Sequence, residues 1–106
     1  MPLHISFFKT QEYLLWYNHQ TEKTQYIIES RLKRLSEENH WGLINTFDGL
    51  VELKWTSGLR IYTAKINGKL VVILLGGNKN GQNKDINQAK KILKKVIEFK
   101  SKIKKE

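Results

Sequence analysis

Apolar and polar residues alternate through Leu3–Lys9 (L-H-I-S-F-F-K), which predicts a first strand. The period then lengthens. Thr10 can serve as N-cap to a short helix over Gln11–Asn18, with Tyr13, Leu14 and Tyr17 as its apolar side. Thr21 can cap a second helix that runs to about Glu37, although Thr21-Glu22-Lys23-Thr24 lacks the acid of a capping box. Tyr26, Ile27, Ile28, Leu32 and Leu35 make its expected buried stripe, and Arg31, Lys33 and Arg34 its basic rows. The two helices are expected to form an antiparallel hairpin.

Four strand-like runs follow: Leu43–Phe47, Leu50–Thr56, Leu59–Ile66 and Lys69–Leu75. Between them stand the turn dipeptides Asp48-Gly49, Ser57-Gly58 and Asn67-Gly68. Asn67-Gly68 is the strongest signal, because a type I′ turn needs two positive φ angles that Asn and Gly adopt cheaply. Short turns between successive strands imply an antiparallel meander. Gly76–Gly81 reads as a loop, and Asp85 as the opening of a last helix with Ile86, Ala89, Leu93, Val96 and either Ile97 or Lys100 as its stripe. Its end, Ser101–Glu106, is expected to fray. The order gives an α+β fold: N-terminal strand, helical hairpin, four-stranded antiparallel meander, C-terminal helix. A chain of 106 residues fits one domain, 1–106, without internal repeats.

Charge narrows the partners. Nineteen Lys and Arg against ten Asp and Glu give +9, an excess that favours nucleic acid or another polyanion. Lys84–Glu106 alone carries nine basic and three acidic residues. The longest apolar run, Leu70–Leu75, is strand-sized, so no membrane span is expected. Met1-Pro2-Leu3-His4 lacks the marks of a secretory signal, and the absence of cysteine fits a reducing cytoplasm. His4, His19 and His40 show no metal-ligand spacing; with no thiolate available, neither a metal nor any other cofactor is expected. There is no Gly-x-Ser-x-Gly, and Gly76–Gln82 lacks Walker spacing.

Candidate chemistry gathers around the Ser57-Gly58 turn. Lys54 and Arg60 flank it on adjoining strands, and Tyr62 shares a face with Arg60. Such a cluster can bind a phosphodiester and offset the charge of a pentavalent transition state; a lysine among other cations can also act as base on a ribose 2′-hydroxyl. On spacing alone the same residues read more readily as a solvated sheet face, with Tyr62 packing in the core. Lys79 and Gln82 sit near the start of the last helix, where backbone N–H groups favour anions, or else form a plain surface loop. Glu52 reads as a structural ion-pair partner. Arg31 and Arg34, with Lys84 and Lys91 on the last helix, are candidates for salt-sensitive contacts to nucleic-acid phosphates. Trp16, Trp41 and Trp55 can stack on bases, but packing in the core or at an interface is the better reading of them.

From the Trp16 helix to Ala89 the chain resembles the RelE/ParE superfamily of bacterial toxins, and within it the HigB-like addiction-module killer proteins. The resemblance lies in Arg31-Leu32-Lys33-Arg34-Leu35, Asp48-Gly49-Leu50-Val51-Glu52-Leu53-Lys54, Gly58-Leu59-Arg60-Ile61-Tyr62, and Leu74-Leu75-Gly76-Gly77-Asn78-Lys79 leading to Gln82 and Asp85-Ile86, in that order and spacing. It implies a RelE-like fold and a type II toxin. Such a toxin is usually a metal-independent endoribonuclease that cleaves mRNA on the ribosome and halts translation. The other activity the superfamily implies is inhibition of DNA gyrase by binding, as in ParE-like toxins. A cognate antitoxin, usually a helix-turn-helix DNA-binding protein, is the implied partner. By position, Lys54 matches the arginine of an E-L-R motif, Arg60 and Tyr62 an R-x-Y, and Lys79 and Gln82 a G-K-x-x-Q loop; these five are the catalytic candidates. Lysine at 54 keeps the charge but not the bidentate fork, and the Thr56–Gly58 turn is shorter than the family's G-P-G-Y.

Overall fold

A computed structural model describes residues 4–104, with side chains from 4 to 99. The expected strand residue Leu3 and the frayed end over Ser101–Glu106 fall outside the residues whose side chains are described. The elements are β1 (Ser6–Lys9), α1 (Gln11–Asn18), α2 (Glu22–Glu38), β2 (Ile44–Phe47), β3 (Leu50–Lys54), β4 (Leu59–Lys65), β5 (Leu70–Asn78), a single 3-10 turn (Lys79–Gly81) and α3 (Gln82–Lys104). Both expected caps form: Thr10 Oγ1 accepts from the Tyr13 N–H and Thr21 Oγ1 from the Thr24 N–H, each supplying one of the acceptors that a helix start lacks. Gln25 Nε2 donates to the Tyr17 carbonyl at 2.9 Å, joining the first turn of α2 to the last of α1.

The sheet has the order β1-β5-β4-β3-β2, with β2 to β5 antiparallel and β1 added parallel to β5. Each face is covered. Tyr13, Ile28 and Leu32 of α1 and α2 pack on Leu53, Ile61 and Ile73. Ala89 and Ile92 of α3 pack on Leu50, Tyr62, Ala64, Val72 and Leu75 of the other face.

Four expectations need correction. Tyr26, 75% exposed, and Ile27 lie outside the α2 stripe, which consists of Ile28, Leu32 and Leu35, three and four residues apart on one face. The type I′ turn is not at Asn67-Gly68, neither of which has positive φ. It is at Asp48-Gly49, with φ of 44° and 87° between the paired Phe47 and Leu50. Asn67 instead folds its own loop, its Oδ1 accepting from the N–H groups of Lys69 and Leu70. Gly76 and Gly77 belong to β5 rather than to a loop, paired with Ile61 and Arg60. Last, α3 begins at Gln82, three residues before Asp85, and Ile92 joins its buried side while Ile97 is exposed.

Why two glycines stand inside a central strand follows from their neighbours. A Cβ on Gly76 would lie 2.3 Å from the Trp16 ring, and one on Gly77 would lie 2.1 Å from Asp85 Oδ2. The first brings α1 onto one face of the sheet and the second brings the start of α3 onto the other.

Candidate functional site

The last residues of β3 and the first of β4 set the site. Lys54 is the cross-strand partner of Arg60, and Glu52 that of Tyr62, so all four side chains leave the same face, the one beneath α3. Arg60 is in turn paired with Gly77 on β5, and the Lys79 N–H donates to the Gly58 carbonyl at 2.8 Å. Lys54, Arg60 and Lys79 are thereby brought to one end of the sheet, around the Trp55–Gly58 turn.

Beneath this end lies a buried carboxylate. Glu52 is 0% exposed and accepts from Gln82 Nε2 at 2.9 Å, while Arg60 Nε stands 3.8 Å from its Oε1, too far for a hydrogen bond but within ion-pair range. Asn45 reaches the group from the edge strand. In one amide orientation it donates to Glu52 Oε1 at 3.3 Å; in the other its oxygen accepts from Lys54 Nζ at 3.1 Å. Glu52 thus touches the group that carries Arg60, the residue that opens α3, and the strand beside Lys54. The expected structural pairing is with Arg60 rather than with Lys54 or a helix arginine.

Arg60 is 9% exposed, and its Nη1 donates to the carbonyls of Trp55 (3.2 Å) and Leu59 (3.1 Å). Tyr62 does share its face, but it is 0% exposed, and its hydroxyl has no hydrogen-bond partner among the described residues. Burial, reinforced by the nearby Glu52 and Asp85 carboxylates, holds its phenol above the ordinary tyrosine range. Tyr62 thus lies as a buried, neutral phenol in the floor of the site. Lys79 is exposed, with its side-chain stem beside Gly58; Gln82 is half-buried against Glu52.

The remaining cationic candidates separate. Arg31 is half-buried and spends its guanidinium on the carbonyls of Trp41 (2.8 Å), Leu43 (2.6 Å) and Lys54, and its carbon stands 4.3 Å above the Trp55 ring. Burial lowers its pKa from the usual value. This is a brace for the β2 and β3 backbone, not a free phosphate ligand as expected from its place in a basic row. Arg34 is exposed and pairs with Glu38 on its own helix (3.8 Å). Lys84 and Lys91 are exposed on α3.

In the sequence Asp85 marks only a helix start. Its carboxylate instead packs against Gly77 and Gly81 beside the site, and burial raises its pKa against a smaller opposing pull from Lys84. The signal for it was present in the sequence as a glycine pair eight residues before an acid. Among the described residues no group of three or more His, Asp or Glu side chains is arranged to hold a metal ion.

Known proteins place the fold. In the crystal structure of the toxin-antitoxin complex RelBE2 from Mycobacterium tuberculosis, one chain superposes with a TM-score of 0.58, over 72% of this chain and 99% of that one. The protein has a RelE/ParE-like fold. At 14% identity the likeness concerns the fold alone. In sequence, 65 residues are 43% identical to an uncharacterized protein of Haemophilus influenzae, a match that covers 59% of this chain and 66%, just under two thirds, of that relative. No protein-family model matches the chain. No described helix of this RelE-like chain is long and apolar enough to cross a membrane.

Proposed function

We propose that this protein is the toxin of a type II toxin-antitoxin system, HigB-like in kind, and that it cleaves mRNA on the ribosome without a metal ion. The observation that carries the reading is the register of Lys54 opposite Arg60, with Lys79 beside the same turn, on a RelE-like sheet. In the reaction a ribose 2′-hydroxyl attacks the adjacent phosphorus, the bond to the 5′-oxygen breaks, and a 2′,3′-cyclic phosphate and a 5′-hydroxyl result. The protein's part is charge. Lys54 and Lys79 meet the phosphate oxygens as point charges, and Arg60, held by Glu52 and two carbonyls, presents a guanidinium that need not reorganise as negative charge builds up. Gln82 fixes the start of α3 against Glu52, and the exposed Lys84 and Lys91 add affinity that salt weakens.

The partners in this reading are ribosome-bound mRNA and a cognate antitoxin, and the cytoplasm is where they meet. Support for the second partner comes from an apolar groove of about 960 Å³ between β1 and α3, where Phe8 is 54% and Phe99 67% exposed.

The experiment is in-vitro translation with purified protein, followed by primer extension to map mRNA 5′ ends with and without ribosomes. New ends on translated message alone are the expected result. Intact message together with growth arrest in cells would overturn the nuclease reading in favour of a binding toxin directed at DNA gyrase.

A further inference from the structure

Two of the three tryptophans frame a pocket that the cationic cluster does not explain. The pocket holds about 400 Å³ and is lined by Trp16, Gln20, Thr24, Trp55, Gly58 and Asn78, among others. It lies on the α1/α2 side of the sheet end whose opposite face carries Lys54 and Arg60. Trp41, by contrast, packs in the core of this face and under Lys65, whose Nζ is 4.7 Å from the ring centre.

Both indoles are half-buried and held from behind. Trp55 carries the Arg31 guanidinium against its ring at 4.3 Å, Arg60 Nη1 on its own carbonyl, and Arg31 on the preceding carbonyl of Lys54. Arg31 lines the neighbouring depression and not this one. Trp16 rests on the bare backbone of Gly76, where any side chain would collide with it. Aromatic rings fixed before a ligand arrives bind it with little further loss of side-chain entropy.

The floor ties the pocket to the phosphate-binding groups. Gly58 is in a left-handed conformation (φ 105°), and the Lys79 stem would lie 3.4 Å from any Cβ placed there. The Lys79 stem thus runs beside Gly58, which lines the pocket, and Lys79 itself stands at the pocket's margin rather than in its lining. Gln20, Thr24 and Asn78 add polar groups to apolar walls, the mixture that a planar heterocycle with hydrogen-bonding edges requires.

We propose that this pocket is a subsite for one unpaired nucleobase of single-stranded RNA, stacked on Trp55 and Trp16, while the adjoining phosphate meets Lys79. The inference rests on the RNA reading above and extends it to a base-binding residue pair. Stacking of this kind accepts any base, so the subsite positions the strand and the polar rim supplies any preference.

The test is a titration of the full-length protein with a short 2′-O-methyl RNA, which the 2′-hydroxyl chemistry cannot cleave, and with the same strand carrying abasic positions. Tryptophan fluorescence and competition are read. The expected results are quenching by the intact strand, roughly ten- to hundredfold weaker binding by Trp55→Leu, retained binding by Trp55→Phe, and little discrimination between the strands by the leucine variant. Asn78→Ala, an exposed change, repeats the test should Trp55→Leu fail to fold, and is expected to weaken the intact strand more than the abasic one. Equal binding of intact and abasic strands by the native protein, still sensitive to Lys79→Ala, would overturn the subsite and leave the RNA reading standing. Absence of any binding would overturn the subsite, while the ribosome-dependent reading is decided separately by the primer-extension assay. Stacking without message cleavage on the ribosome would support the subsite and refute the nuclease.

Discussion

Glu52 and Arg60 form the one ion pair in the described structure with both partners inside, and breaking it from either side tests whether the site is built on it. The Glu52 side chain is 0% and that of Arg60 11% exposed, so solvent screens neither. Removing one partner of such a pair costs about 3–5 kcal/mol, because the other charge is left buried and unmatched. The lower end applies here. Arg60 without Glu52 keeps the carbonyls of Trp55 and Leu59, and Glu52 without Arg60 keeps Gln82 and Asn45. With unfolding entropy of about 2.1 cal/mol/K per residue, a loss of about 3 kcal/mol lowers Tm by roughly 13 °C in a chain of this length. Glu52→Leu and Arg60→Met should each do so. Together they should cost no more than either alone, since an apolar pair of similar volume needs no compensation. Thermal melts followed by circular dichroism, with urea titrations for the free energies, give the cycle. Costs that add to within about 0.5 kcal/mol would show that the two side chains do not interact, and the account of how Arg60 is positioned would fall.

Other consequences are more local. Lys79→Ala should lower mRNA cleavage by about a hundredfold or more while shifting stability by under about 0.5 kcal/mol, read by primer extension and melting on one preparation. Gly76→Ala should destabilise by about 1–3 kcal/mol through its collision with Trp16, and the loss should largely vanish in a Trp16→Ala background; a loss unchanged there would refute the contact. Asp85→Asn should raise Tm at pH 7. Burial raises the folded pKa of Asp85 above its ordinary 3.8, so the stability it contributes is present only while it is protonated and is lost as pH rises through that folded value. The advantage of asparagine should therefore shrink toward pH 4, and a gain independent of pH would contradict the assignment.

The chain's patterning made the elements legible, and their limits less so. Thr10 and Thr21 marked helix starts because the side chain that satisfies the orphan N–H groups is local in sequence. The adjacency of Lys54 and Arg60 was legible for the same reason, since a short turn between two strands admits few registers. Gly76-Gly77 misled because glycine is read as chain punctuation, whereas here the missing Cβ atoms admit Trp16 and Asp85, contacts 60 and eight residues away in sequence. Tyr26 and Ile27 are apolar neighbours of Ile28 in sequence, but the buried stripe of α2 has room for only one residue per turn. Tyr62 was correctly placed on the face of Arg60, but the depth of that face depends on α3, which covers Tyr62 and leaves the sheet end open.

The three arginines and the lysines divide the cationic work in a way that composition alone does not reveal. Arg31 and Arg60 each spend donors on backbone carbonyls, and between them they hold the Lys54–Trp55 segment from both sides. A guanidinium suits that duty because its planar fork satisfies several acceptors at once. Arg34 is left to a surface pair with Glu38, while Lys79, Lys84 and Lys91 stand exposed. A phosphate bound at this end would then be met mainly by lysines on a scaffold stiffened by arginines. Lysine at position 54 fits this division. Its backbone carbonyl is already an anchor for Arg31, and its side chain adds charge without a second fork to compete for those carbonyls. Charge removal at the lysines should therefore flatten the salt dependence of RNA binding in a folded protein, whereas removal of Arg31 or Arg60 should first loosen the turn that carries Trp55.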